Sequence, residues 1–220
     1  MTPRHERTSA PRVAVLDYGS GNLRSAVRAL VRAGAEVELT SDAARARQAD
    51  ALVVPGVGAY AACMAGLHEV DGVALVRDWV GEGRPLLGIC VGFQVLFTSG
   101  TEHGETTEGI GVFTGEVSRL DAQRLPHMGW NTVETSERVE TSEAVRYYFV
   151  HSYGVAADTE ISLVGRPEVP VERWLTTHDG HRFVAAVAAG PVLATQFHPE
   201  KSADAGAALL RGWVSAIQNR

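Results

Sequence analysis

Cysteine is nearly absent from this 220-residue chain, which has only Cys63 and Cys90. Two thiols build no disulfide framework, and free thiols persist in reducing compartments, so a cytoplasmic protein is expected. Neither cysteine belongs to a Cys-x-x-Cys pair, and the eight histidines form no His-Glu-x-x-His, so neither a metal nor a cofactor is expected. Positive charge is also short. Against 26 Asp and Glu there are 20 Lys and Arg, a formal net charge of −6 with both signs interspersed, so no basic stripe exists to follow a nucleic acid. No apolar run approaches the roughly 18 residues that a membrane span requires. Residues 1–11 are polar, lack an apolar signal core and read as a disordered tail. Repeats and low-complexity linkers are missing as well, so residues 12–220 are expected to form a single domain.

What is present is enough to build a core, since hydrophobic residues make up 45% of the chain. Residues 13–17 form a short apolar run, and after Tyr18-Gly19-Ser20-Gly21-Asn22 the residues Leu23, Ala26, Val27, Leu30 and Val31 recur at helical spacing. Further strands are expected at 36–39, 51–54 and 86–89. A helical region reaches about Val80, broken near Asp71-Gly72, and another helix is expected from Gly92 to Thr98. Strands that alternate with helices and are apolar on both faces indicate a parallel sheet covered on each side. From Gly111 the pattern changes to short strands, at 116–117, 132–133, 147–150, 183–187 and 192–197, before an amphipathic helix from Ser202 to Ile217. His178 and His181 flank Asp179-Gly180, which reads as a hairpin turn rather than a ligand pair. The expected fold class is α/β, with a central, mostly parallel sheet and an antiparallel extension.

Chemistry concentrates at Gly88-Ile89-Cys90-Val91-Gly92, where an apolar strand gives way to a helix. A nucleophile on such a sharp, strained turn needs small neighbours two positions away, so that strand and helix can approach. The helix N-terminus and a nearby imidazolium would both favour the thiolate. The alternative is a small buried hydrophobe, the usual state of a free cysteine. Cys63, in Ala-Ala-Cys-Met-Ala, has only that second reading. A cysteine nucleophile needs a base and a group to orient the base, and Gln196-Phe197-His198-Pro199-Glu200 offers both. If these residues continue a strand, His198 and Glu200 project to the same side. Val91 N–H, just past the nucleophile, is a candidate oxyanion donor, and Pro55-Gly56-Val57-Gly58 lies at the end of a neighbouring strand, on the edge where parallel sheets place ligands.

These motifs resemble those of the class I, triad-type glutamine amidotransferases. The resemblance runs from about Val13 to Gln218 and includes Asp17 to Asn22, Pro55 to Gly58, the Cys90 turn with Gln94, Pro126-His127-Met128-Gly129-Trp130-Asn131, Phe149-Val150-His151-Ser152-Tyr153 and Gln196 to Ser202. It implies a flavodoxin-like domain and a glutaminase in which Cys90, His198 and Glu200 form the triad and the Val57 and Val91 amides line the oxyanion site. It further implies that Gly58, Gln94, Ser152 and Tyr153 hold the amino-acid end of glutamine. Ammonia would pass to a (β/α)8-barrel cyclase subunit in a heterodimer, through an interface containing Asn22, Met128, Trp130, Tyr148 and Lys201. On the residues alone, Trp130 and Tyr148 read equally as core. Val91 and Phe93 stand where the family more often has Leu and Met; both keep an apolar residue and a backbone donor. A partner also follows from chemistry, because ammonia released into neutral water becomes non-nucleophilic ammonium, and no P-loop or other synthetic site is legible in this chain.

Overall fold

The computed structural model describes residues 9–134 and 145–220; residues 1–8 of the expected tail lie outside them. Pro11 is buried and its carbonyl accepts the Glu36 N–H at 3.0 Å, so the domain already begins inside the stretch expected to be tail.

A seven-stranded sheet organises the chain. Its parallel part runs β2 (Glu36–Thr40), β1 (Arg12–Leu16), β3 (Ala51–Gly56), β4 (Leu86–Cys90) and β13 (Val192–Thr195). Outside the edge strand β2, side chains on both faces are buried: in β1, β3 and β4, Val13, Val15, Leu52, Val53, Leu86 and Leu87 expose nothing. That explains why the strands read as continuous apolar runs rather than alternating ones. The antiparallel extension is β12 (His181–Ala189) followed by β11 (Val171–His178) at the edge. Their turn is the expected Asp179-Gly180, with φ of 47° and 80°, the positive angles that a tight two-residue hairpin demands.

The sheet is flanked by α1 (Leu23–Arg32), α2 (Ala43–Ala46), α3 (Tyr60–Glu69), α4 (Gly72–Gly81) and α6 (Ala203–Gln218). The expected break between α3 and α4 falls at Asp71, whose φ of 54° no helix continues through. Among the described residues no helix is long and apolar enough to cross a membrane.

The expected helix from Gly92 to Thr98 is corrected. Only α5 (Val91–Gln94) is helical, and β5 (Phe97–Glu102) follows. Phe93, Val95, Leu96 and Phe97 are all fully buried. An apolar run buried all round carries no period that separates helix from strand. A second sheet is thereby created, ordered β10 (Tyr153–Gly154), β7 (Phe113–Arg119), β5, β6 (Glu105–Glu108). A separate antiparallel pair, β8 (His127–Thr132) with β9 (Arg146–His151), sets Trp130 opposite Tyr148.

Candidate active site

The C-terminal ends of β3, β4 and β13 converge on one edge of the main sheet. Cys90 ends β4 with φ 56° and ψ −112°, a left-handed conformation that costs a non-glycine residue strain and that a sharp strand-to-helix turn imposes. The flanking glycines make that turn possible. A Cβ on Gly92 would lie 1.9 Å from Val54 O, and one on Gly88 would lie 2.9 Å from Gly92 O. Val91 N–H opens α5, where the first amides have no acceptor within the helix.

His198 and Glu200 meet, though not by the expected route. β13 ends at Thr195 and Pro199–Lys201 is a 3₁₀ turn, so strand alternation does not align them. The turn instead folds the carboxylate back, and His198 Nδ1–H donates to Glu200 Oε1 at 2.7 Å, with the two side chains 2% and 3% exposed. The histidine backbone is fastened at both ends. Its N–H donates to Tyr148 O at 2.9 Å and its carbonyl accepts the Ser202 hydroxyl at 2.6 Å, while Ser202 Oγ accepts the Tyr148 N–H at 2.9 Å. Burial pulls the His198 pKa down, but the Cys90 sulfur and the Glu200 carboxylate outweigh it and raise the imidazole to about 9. Nε2 and Glu200 Oε2 are buried without a hydrogen-bond partner. The electrostatics thus pair Nε2 with the sulfur where strict geometry forms no bond. Catalytic pairs commonly stand short of alignment until substrate tightens them.

A cleft of about 210 Å³ opens here, lined by Val57, Gly58, Cys90, Val91, Gln94, Ser152, Tyr153, His198 and Lys201 from the residues singled out in the sequence, together with Glu102, Val150 and His151. A larger groove of about 420 Å³ runs between α6 and the β13 region. It is lined mainly by apolar residues such as Trp174, Leu209 and Trp213 and contains none of the triad candidates, so the chemistry belongs to the smaller cleft. Glu102 went unnoticed in the sequence because it lies on β5, where no strand was expected; its Oε2 accepts the Tyr60 N–H at 2.9 Å.

Gln94 spends both hydrogens of its amide inside the protein, on Tyr153 O at 2.8 Å and Gln196 Oε1 at 2.9 Å. Its remaining acceptor, Oε1, is the polar atom it can offer a ligand. Tyr153 O also accepts from His151 Nδ1 at 2.8 Å, which leaves His151 Nε2 to accept from His127 Nδ1 at 3.2 Å. His127 Nε2 then accepts from Asn131 Nδ2 at 3.2 Å. Every link is satisfied with both rings neutral, and burial lowers His127 to about 4 and His151 to about 3. Among the described residues no group of three or more His, Cys, Asp or Glu is placed to hold a metal ion.

The second oxyanion candidate is occupied. Val57 N–H donates to Ser20 Oγ at 3.0 Å, and the same hydroxyl donates to Val57 O at 2.7 Å. In this arrangement the Val57 amide is turned to Ser20 and is not offered to the cleft. Cys63 stands behind the same loop, with Sγ 3.2 Å from Ser20 Oγ and its pKa pushed up by burial, as suits a packing thiol.

On the β8–β9 pair, Met128 and Trp130 are 62% and 45% exposed, which excludes a core role for Trp130. Trp130 makes an edge contact with the half-buried Tyr148 at 6.2 Å, and Lys201 Nζ lies 6.0 Å from the Tyr148 ring. Asn22 is exposed at the start of α1, which packs against the 199–201 turn.

Comparison with known proteins agrees with this geometry. A family model, "Glutamine amidotransferase class-I", matches residues 14–214. The imidazole glycerol phosphate synthase subunit HisH of Corynebacterium diphtheriae is 52% identical over 210 residues, covering 94% of this chain and 99% of its own. That of Corynebacterium efficiens is 54% identical over 209 residues, covering 93% and 98%. Among solved structures, a crystal structure of a glutamine amidotransferase superposes with a TM-score of 0.68 at 25% identity, covering 91% of this chain and 98% of the other.

Proposed function

This chain belongs to the class I glutamine amidotransferases, and from that premise we propose that it is the glutaminase subunit of an imidazole glycerol phosphate synthase in histidine biosynthesis. The observation that carries the mechanism is the buried His198–Glu200 pair beside a strained Cys90 at the head of a ligand-sized cleft. Cys90 as thiolate attacks the side-chain amide carbon of glutamine. His198 delivers its Nε2 proton to the departing nitrogen, so ammonia leaves and a glutamyl thioester remains. Water then attacks the thioester, His198 takes up its proton, and glutamate departs as the sulfur is released. Glu200 holds the ring through Nδ1–H and stabilises the imidazolium.

Glutamine's ammonium group finds the Glu102 carboxylate and Gln94 Oε1, while Gly58, Ser152 and Tyr153 close around its amino-acid end. Val91 N–H faces the developing oxyanion. Val57 N–H can join it only after the Ser20 bond opens, because one N–H cannot serve both acceptors. Ser20→Ala is therefore expected to raise glutamine hydrolysis by the isolated subunit several-fold, read as glutamate release; an unchanged rate would show that the hydroxyl holds nothing back.

Replacing Glu200 with Gln should cost about 10⁴-fold in kcat, less than the roughly 10⁶-fold expected for His198→Ala, because the carboxylate orients and stabilises a group that itself transfers the proton. The carboxylate also helps hold the His198 pKa at about 9. Its neutralisation should move the alkaline limb of kcat against pH toward lower pH. Equal losses in the two variants would contradict this division of roles.

The partner is a cyclase subunit, proposed to be a (β/α)8 barrel forming a heterodimer. Its interface is proposed to include Asn22, Met128, Trp130, Tyr148 and Lys201; Lys201 lines the cleft, and the exposed Met128 and Trp130 suit an interface core. The need for a reduced Cys90 fits a cytoplasmic setting.

A further inference from the structure

Gln196 exposes nothing to solvent and is not among the residues lining the cleft, yet its amide reaches the reacting atom. Its backbone N–H is committed to Ala185 O at 2.8 Å, which fixes the residue just past the end of β13. Its side-chain Nε2 lies 3.9 Å from Cys90 Sγ, within hydrogen-bond range for the larger sulfur atom. The orientation of that amide follows from the network. Tyr153 O can only accept, so the Gln94 atom facing it at 2.8 Å must be Nε2. The same Nε2 meets Gln196 at 2.9 Å, so Gln196 must present Oε1 there and keep its N–H groups for the sulfur. A flipped amide would set donor against donor and oxygen against sulfur.

We infer that Gln196 is a positioning residue for the glutaminase reaction, its buried amide N–H supporting the Cys90 sulfur from the interior while substrate approaches from the cleft; this rests on Cys90 being the nucleophile proposed above. A hydrogen bond to sulfur is worth most when the sulfur is anionic. The contact therefore favours the thiolate before attack and again when the thioester breaks. The chain Tyr153 carbonyl, Gln94, Gln196 and Cys90 also joins the substrate cradle to the nucleophile, so a displaced cradle would be felt at the sulfur.

Gln196→Glu is the informative variant. It keeps the acceptor for Gln94 and places an oxygen where the sulfur had a donor. In the complex with its synthase partner we expect kcat for glutamine to fall at least tenfold with a smaller change in KM, while synthesis from ammonium salts is retained. Alkylation of Cys90 by iodoacetamide, followed by peptide mass spectrometry, should slow about tenfold at pH 7 and move to higher pH. Gln196→Met, which lacks both polar atoms, should show the same alkylation change. A parental alkylation profile in Gln196→Glu would overturn the inference and leave Gln196 as packing. Parental Cys90 reacting no faster than Cys63 would instead overturn the nucleophile itself. Should both variants misfold, Cys90→Ala decides the matter in a chain with Gln196 intact: the side-chain amide protons of Gln196 are expected to shift and exchange faster, and unchanged resonances would refute the contact.

Discussion

Cys90→Ser is expected to abolish glutamine-dependent synthesis, by about 10³-fold or more, and to leave synthesis from added ammonium salts intact in the presence of the cyclase partner. The substitution exchanges sulfur for oxygen at constant shape, so the turn at φ 56° and the packing around it should persist. What disappears is the sulfur nucleophile beside His198. The sulfur is one of the groups that lift His198 to about 9 against its burial, so the imidazole pKa should fall in this variant, observable in a ring-proton titration. Ammonium bypasses the thioester altogether, because the acceptor site lies on the partner. Equal loss of both activities would mean that Cys90 is structural. Persistence of both would mean that glutamine is hydrolysed elsewhere.

Gly92→Ala should be strongly destabilising. The new Cβ would lie 1.9 Å from Val54 O and 2.8 Å from Val54 C, both backbone atoms of a central strand that cannot rotate aside. Relief requires α5 to move off β3, which carries Cys90 and Val91 N–H away from the loop at Gly56–Gly58. Overpacking of a core commonly costs 1–3 kcal/mol, and with backbone on both sides about 3 kcal/mol or more is expected, a fall in Tm of roughly 10 °C. Gly212→Ala is the control. It lies within α6, a Cβ there meets nothing within 4 Å, and alanine in a helix is expected to be neutral or to stabilise by up to about 1 kcal/mol. Comparable Tm changes in the two variants would sink the close-approach account of the Gly88–Gly92 turn.

The parallel core was legible because its strands are short, apolar on both faces and separated by amphipathic helices. The closing helix α6 was legible for the same reason, with Leu210, Trp213, Val214 and Ile217 on its buried side. Two kinds of element escaped. Phe93 to Phe97 is buried on every side, so its change from helix to strand left no periodic trace. β11 is an edge strand with no clean alternation of burial, and Val-Glu-Arg-Trp-Leu-Thr-Thr-His displays no pattern of period two. Glu102 lies beyond the Phe93 to Phe97 stretch, at the end of β5, and no local feature of Gly-Thr-Glu-His marks its carboxylate as part of a cleft.

The chemical parts were readable from the residues alone: a cysteine between glycines at a strand end, a histidine and a glutamate two residues apart, and a family pattern along nearly the whole chain. Local chemistry suffices for these, because a turn that needs glycine or a base that needs an orienting acid leaves its mark within a few residues. How the parts engage was set by the folded chain. It folded Glu200 onto His198 through a 3₁₀ turn rather than a strand, turned the Val57 amide to Ser20, exposed Trp130 and brought Gln196 beneath the sulfur. Each of these depends on contacts between residues distant in the chain or on the path of the backbone through a crowded interior. Hydrogen-bond direction and burial are properties of such neighbourhoods, and no window of sequence contains them.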